Sequence, residues 1–446
     1  MRPLGIDLFA GAGGMSLGFE QAGFDVAAAV EIDPIHCATH KFNFPDCAVV
    51  PRSVIGLSAD EIRRAAKIED RRIAVVFGGP PCQGFSLIGQ RCLDDERNRL
   101  VLEFVRLVAE LNADSFVFEN VKGLTVGPQK AFLAELIEAF ANVGYSVRIP
   151  LQVLNAAHFN VPQNRERLIV LGTKKGLTLP IYPKPVTHPN RRSGNGSIAR
   201  APTCEEALGD LPDADDYDYL FEQDEVFVPK WRKPSAFASE LRLLTDGAWH
   251  YGYRRLWNPR VLTSSMRTEH TDISRRRFAE TRPGEVEPIS RFYRLAAAGL
   301  SNTLRAGTDA ARGAFTSPRP IHYAYARCIT VREMARLHGF PDWFRLHETK
   351  WHGARQIGNA VPPPLARAVA HRVMVALGLK ATIPKGLHQL GDPDLLRMDM
   401  SEASDHFGVA VPIGRRDRKS GAKKRRQQEI EAEALRSRTQ AEAVSG

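Results

Sequence analysis

Cysteine is scarce in this chain. Its six residues, Cys37, Cys47, Cys82, Cys92, Cys204 and Cys328, form no CxxC pair and no Cys/His metal spacing, so neither a disulfide framework nor a zinc site is expected. Long apolar runs are missing as well: stretches such as Val26 to Val30 fall far short of a bilayer span. The first residues carry no charged, apolar, small-residue leader pattern, and a cytoplasmic protein with no membrane partner and no metal is the expectation. Acidic residues are outnumbered, 51 Asp/Glu against 61 Lys/Arg, which leaves a net charge of +10 and admits a polyanionic partner. Half of that excess sits in residues 414–446, which hold ten Lys/Arg and five Asp/Glu. The rest is clustered at Arg191-Arg192, Arg254-Arg255 and Arg275-Arg276-Arg277, which would suit phosphate contacts or an ordinary solvated surface equally well.

What is present is organised around Gly78-Gly79-Pro80-Pro81-Cys82-Gln83-Gly84-Phe85-Ser86. The preceding Ile73-Ala74-Val75-Val76-Phe77 reads as a strand buried on both faces of a parallel sheet. Two glycines and two prolines end it and forbid both helix and ladder, so Cys82 rides a loop past the strand's carboxyl end. Open α/β sheets bind ligands there. A cysteine that only fills space belongs inside a strand or on a helix's apolar face; on this loop, Cys82 reads as a nucleophile.

The chain opens with strand Leu4–Phe9, the glycine turn Ala10-Gly11-Ala12-Gly13-Gly14 and a helix, which is a nucleotide-binding opening. Glu31 closes the second strand, where an acid can accept hydrogen bonds from ribose hydroxyls. Ser16 stands where a dinucleotide fold places its third glycine. Cys47–Val50 reads as a third strand, Ser58–Asp70 and Asn98–Leu111 as helices, and Ser115–Phe118 as a strand ending in Glu119-Asn120-Val121. A glutamate closing so apolar a run suggests either a role in a cleft or a salt bridge. Arg165 and Arg167 share one face of the strand running to Gly172. From about Pro180 to His322 the chain is proline-, arginine- and glycine-rich and has no sustained period, as in a separate irregular domain or long insertion. Helical order returns with Thr330 as cap and Glu333 completing a capping box, and a second helix ends near Leu377. Beyond residue 380 the pattern fades, and a disordered basic tail with weak nucleic-acid affinity is expected.

Taken in order, these segments closely resemble the DNA (cytosine-5) methyltransferases, chiefly the bacterial modification enzymes, over residues 4 to about 376 outside the central region. Asp7-Leu8-Phe9-Ala10-Gly11-Ala12-Gly13-Gly14 resembles the family's S-adenosylmethionine loop, Glu31 its ribose-binding acid and Pro80-Pro81-Cys82-Gln83 its nucleophile loop. Glu119-Asn120-Val121 is similar to its cytosine-binding acid, Gln163 with Arg165 and Arg167 to its paired arginines, and Gly358-Asn359-Ala360-Val361-Pro362 to its closing piece. Thr303-Leu304-Arg305-Ala306-Gly307 is similar to the end of its recognition domain. Two segments depart. Arg52-Ser53-Val54 puts Ser53 where the family has an adenine-contacting aspartate, and Asp94–Leu100 matches only loosely a segment that is usually richer in glycine.

The resemblance implies an α/β, Rossmann-like S-adenosylmethionine-dependent methyltransferase sheet with a second, smaller, irregular target-recognition domain. It divides the chain into a catalytic and cofactor-binding part (1–180), a target-recognition domain (181–322), a return segment (323–380) and a basic tail (381–446). It implies S-adenosylmethionine held by Phe9, Ala10, Gly11, Gly13, Gly14, Glu31, Pro80, Leu100, Asn359 and Val361, and catalysis by Cys82, Glu119, Arg165 and Arg167. The substrate would be double-stranded DNA of a specific sequence, read by a monomer that belongs to a restriction-modification system. In that chemistry Cys82 adds to C6 of a flipped cytosine, a protonated Glu119 meets N3 and Arg165 meets O2, while Gln83 and Ser86 fill the duplex or touch phosphate. A zinc nucleobase deaminase needs a second cysteine at position 85, which is Phe. A nicotinamide oxidoreductase leaves Cys82 and Glu119 without a purpose. The tRNA-methylating branch has a short recognition region, unlike this one, and in a non-catalytic binding module the intact Cys82, Glu119, Arg165 and Arg167 would have no use; Ser53 is the one mark in its favour.

Overall fold

The computed structural model describes residues 2–81, 98–125, 129–189, 198–307 and 319–411. Strand and helix alternate through β1 (Leu4–Leu8), α1 (Gly14–Ala22), β2 (Asp25–Val30), α2 (Pro34–Asn43), β3 (Ala48–Val50), α3 (Ala59–Ala66), β4 (Ile73–Gly78), α4 (Arg99–Glu110) and β5 (Ser115–Val121). These five strands are parallel, and helices cover both faces of their sheet. The sequence pattern follows from that: Ile73 to Phe77 of β4 are all less than 5% exposed, each apolar side chain contributing about 1.5–3 kcal/mol by leaving water. After α5 (Gln129–Asn142) come β6 (Tyr145–Val147), β7 (Gln152–Asn155) and β8 (Glu166–Lys174). The last runs antiparallel to β5 and also pairs with β6 and β7, giving the order β3-β2-β1-β4-β5-β8-β6.

Register decides what meets what. Leu8 pairs with Val30 and with Gly78, and Gly78 pairs with Phe118. The next residues along, Glu31, Phe9, Gly79 and Glu119, therefore stand in one row at the carboxyl edge of the sheet. Because β8 is reversed, its first residues lie at this edge too, with Arg167 opposite Val121.

The central region is as irregular as its sequence: α6 (Cys204–Leu208), α7 (Ala236–Leu241), α8 (Asp272–Glu280) and several two-residue strands. Much of its described core is shared with the rest of the chain. Cys204, Leu208, Phe237, Leu241, Leu262 and Leu304 share one buried cluster with Leu17 and Phe44 on the sheet side and with Val331, Met334, Phe340 and Ile357 of the return segment. The expected boundary at 322/323 thus marks no break in packing. The return segment supplies α9 (Val331–His338), α10 (Lys350–Asn359) and α11 (Pro363–Ala376), and the anticipated Thr330/Glu333 capping box opens α9.

Disorder from residue 381 onward is corrected up to residue 411. Leu387–His388 pairs with Arg254–Arg255, and α12 (Met400–Phe407) follows. Leu395 and Leu396 are buried against Ala38 and Phe42 of α2. The apolar partners come from a segment some 350 residues earlier, so the tail needs no internal period of its own. The basic run Arg415–Arg426 lies outside the described residues.

Candidate active site

At one end of the row the glycine turn approaches the carboxylate of Glu31. Gly11 N–H donates to Glu31 Oε2 at 2.8 Å, and the N–H groups of Ile32 and Asp33 donate to Oε1 at 2.9 Å each. Phe9, with φ 63°, and Gly11, with φ 55°, both lie in the left-handed region, which is uncommon for a bulky residue and typical of ligand-holding turns. A Cβ on Gly14 would stand 2.6 Å from the carbonyl oxygen of Val361, so the turn is backed directly by the return segment. Ser16 has its own use: its hydroxyl donates to Asp7 Oδ2 at 2.6 Å and lies 3.0 Å from His40 Nε2. Burial pushes the Asp7 carboxyl up to about 8 and holds the His40 imidazole down to about 3, so the imidazole beside the serine oxygen is neutral.

These residues fit an adenosine-type cofactor. Glu31 has lone pairs left for ribose hydroxyls, nothing crowds the open face of Gly11, and Ile32, 60% exposed directly after Glu31, offers an aliphatic platform for a purine. Sequence reasoning missed Ile32; an apolar residue following the acid of a strand end was the available signal. Ala10 is buried in the turn, while Leu100 and Phe9 pack on the edge of the main core. Asn359 is exposed at the end of α10. Ser53 Oγ accepts from the Ile55 N–H at 3.1 Å and supplies no carboxylate.

At the other end of the row, Glu119 Oε1 is 2.8 Å from Arg167 Nε, both side chains being nearly buried. Burial drives the Glu119 carboxyl upward, and the positive charges of Arg167 and then Arg165 only partly offset this. A Cβ on Gly79 would come within 2.5 Å of Glu119 Oε2, so only glycine lets the loop pass this carboxylate. The neighbouring Asn120 donates from Nδ2 to the carbonyl of Pro80 at 2.9 Å. Glu119 and Asn120 thereby fix the start of the loop that leads through exposed Pro81 to position 82. Cys82 itself, Gln83, Ser86 and Asp94–Arg97 lie outside the described residues.

The two arginines are not equivalent. Arg165, 1% exposed, donates from Nη1 to the carbonyl of Leu304 at 2.7 Å, and from Nη2 to those of Gly358 and Ala360 at 2.8 Å each. Its terminal nitrogens donate to backbone carbonyls and its buried Nε has no partner among the described residues, while the guanidinium paired with Glu119 is that of Arg167. Of the basic clusters, Arg255 is buried in an ion pair with Glu20 at 2.6 Å and Arg275 pairs with Asp215 at 2.7 Å. Neither is a free phosphate ligand. Arg276 remains exposed, and Arg191-Arg192 lie outside the described residues. Among the described residues no group of three or more His, Cys, Asp or Glu is placed to hold a metal ion, and no helix is long and apolar enough to cross a membrane.

Residues 4–374 match the model of the C-5 cytosine-specific DNA methylase family. The chain is 56% identical to the type II methyltransferase M.XorII of Xanthomonas oryzae pv. oryzae, covering 94% of this chain and 95% of that protein. It is 35% identical to the type II methyltransferase M1.HphI of Haemophilus parahaemolyticus, covering 83% and 86%. Among solved structures, a candidate DNA modification methyltransferase encoded within an E. coli prophage superposes with a TM-score of 0.67 at 33% identity, over 84% of this chain and 99% of that one. With its sheet order, glycine turn and acidic edge, this chain belongs to the C-5 cytosine-specific DNA methylase family.

Proposed function

We propose that the protein transfers the methyl group of S-adenosylmethionine to C5 of cytosine within a specific double-stranded DNA sequence, as the modification enzyme of a type II restriction-modification system. The observation that carries this reading is the single row in which Glu31 with its glycine turn, the Gly79–Pro80 loop and the Glu119–Arg167 pair stand at one edge of the sheet. In this reading the methyl donor lies on the Glu31 side of Gly79–Pro80 and the pyrimidine on the Glu119–Arg167 side.

Cytosine C5 is too poor a nucleophile to be methylated unaided. The Cys82 thiolate adds to C6, pushing electron density toward N3 and O2. Glu119, whose carboxyl burial pushes upward, in its protonated form hydrogen-bonds or gives its proton to N3, and the Arg167 guanidinium faces O2, so both groups stabilise the charge where it develops. C5, now enamine-like, forms the new carbon–methyl bond. S-adenosylmethionine, when bound, would supply that electrophilic methyl from its sulfonium sulfur, the C–S bond electrons staying with the neutral thioether. Loss of the C5 proton to a base and expulsion of the thiolate restore the aromatic ring, and the N3 proton returns to Glu119. The target base must leave the helix stack to reach this edge. The central region, residues 181 to about 307, reads the duplex; a cytoplasmic monomer suffices for this chemistry.

Expression in a bacterial host lacking endogenous DNA methylation, followed by bisulfite sequencing of plasmid DNA, tests the proposal. One recurring sequence context should carry 5-methylcytosine with the parent chain and none with Cys82→Ala. Absence of any methylated context, or the same map from both proteins, defeats it.

A further inference from the structure

The hydrogen bonds around Arg165 join three stretches that are far apart in sequence. Residues 301–304, at the end of the central region, run alongside residues 162–165 like an added strand. Ser301 N–H donates to Pro162 O at 2.8 Å, Asn164 N–H to Ser301 O at 2.9 Å, and Thr303 Oγ1 to Asn164 O at 2.6 Å. Gln163 Oε1 accepts from Leu304 N–H at 3.1 Å, and its Nε2 lies 3.0 Å from His338 Nδ1. His338, kept neutral by burial, donates in turn from Nε2 to Ala360 O at 3.0 Å. Arg165 closes the set by holding Leu304, Gly358 and Ala360 at once. The packing leaves no slack: a Cβ on Gly358 would stand 2.1 Å from Ala306 N. One residue past Ala360, the Val361 carbonyl supports Gly14 of the cofactor turn.

We infer that Arg165 is a positioning residue that couples engagement of DNA by the end of the central region to engagement of the cofactor by the Gly14 turn. The inference rests on the reading under Proposed function, which gives these two ends their ligands. A shift of Leu304 on binding DNA moves the guanidinium, and the same guanidinium carries Gly358 and Ala360. A planar fork with fixed donor directions transmits such a shift, whereas a single ammonium on a flexible stem holds the three carbonyls together far less strictly. The commitment of both terminal nitrogens to carbonyls also explains why a fully buried arginine stands beside Glu119 without pairing with it.

The test is a thermodynamic cycle on the full chain, with S-adenosylhomocysteine as the probe. Its affinity is measured by calorimetry alone and with a duplex carrying the context found by bisulfite mapping. In the parent, the duplex should tighten probe binding by a factor in the usual range of about 5 to 150. Arg165→Lys should lose most of the tightening, read as the ratio of the two affinities. A residue needed only for folding would weaken both affinities together and leave their ratio unchanged. If Arg165→Lys does not fold, Gln163→Met, which removes the Leu304 and His338 bonds of the same joint, should show the same loss. No tightening in the parent, or full tightening in the folded variant, overturns the inference. A parent that binds neither probe nor duplex defeats the functional reading instead.

Discussion

Arg167 Nε lies 2.8 Å from Glu119 Oε1, and the two side chains are 13% and 12% exposed. Burial raises the Glu119 pKa while Arg167 lowers it, so the pair sets the pH above which the neutral acid is lost. Single-turnover methylation should therefore fall on the alkaline side as Glu119 ionises. Glu119→Gln should lower the rate about 10²–10⁴-fold and abolish that limb. Arg167→Met should also slow the reaction but move the limb to higher pH, because the charge that favoured the carboxylate is gone. A limb moving downward in Arg167→Met would show that Glu119 is not the titrating group.

Gly79→Ala places a methyl group against Glu119 Oε2, at 2.5 Å in the unrelaxed geometry. The carboxylate or the loop must yield, at a cost of about 1–3 kcal/mol. Because both are parts of the site, methyl transfer should drop by an order of magnitude or more, with cofactor-analogue affinity nearly preserved. Parent-like turnover in this variant would contradict the role given to the close approach.

Asp7 sits under the glycine turn with its carboxyl pushed up to about 8 from 3.8. The unfolded chain releases this proton near pH 4 and the folded chain near pH 8, so between those values the native state holds more protons. Its contribution is full below about pH 4 and is lost as pH rises to 8, an effect on the order of 5 kcal/mol at most. Asp7→Asn should flatten this part of a denaturant-stability curve. His40 acts in the opposite sense, since its folded value is near 3 and stability falls as pH drops below 6.5. A parent curve and an Asp7→Asn curve of equal slope between pH 4 and 8 would refute the assignment.

Leu396 is fully buried between α2 and the segment after Leu387. Leu396→Ala should destabilise by about 2–5 kcal/mol, and truncation after residue 380 by at least as much, read as a lowered unfolding midpoint. Removing residues 412–446 alone should leave the midpoint where it was. Equal midpoints for both truncations would mean that the docked segment adds nothing.

Parts of this architecture that depend on neighbours in sequence were open to reading. β4 announced itself by five consecutive apolar residues, its end by Gly-Gly-Pro-Pro, and α9 by its capping box. Glu31 and Glu119 were visible because a charge closing an apolar strand needs a reason. What escaped depends on distant partners. Arg165 and Arg167 look alike on a strand, and the difference is made by carbonyls 139 to 195 residues away. The helix α2 carries His36, His40 and Asn43 on buried positions, so its apolar period is masked, and the segment after Leu387 shows its few apolar residues only against that helix. Ser16 read as a flaw in a glycine pattern because Asp7 and His40 become its neighbours only in the fold.

The strand-like lacing of residues 301–304 onto 162–165 has a bearing on recombination between relatives. If recognition specificity is to be exchanged as a cassette, the seam lies before Ser301. A graft cut at residue 322 would bring a foreign backbone into the place where Leu304 meets Arg165 and where Ala306 meets Gly358, two contacts with no room for adjustment. Chimeras that keep the recipient's residues 301–307 should remain active with altered sequence preference, and those that replace them should require a matching residue set at 163, 165 and 358.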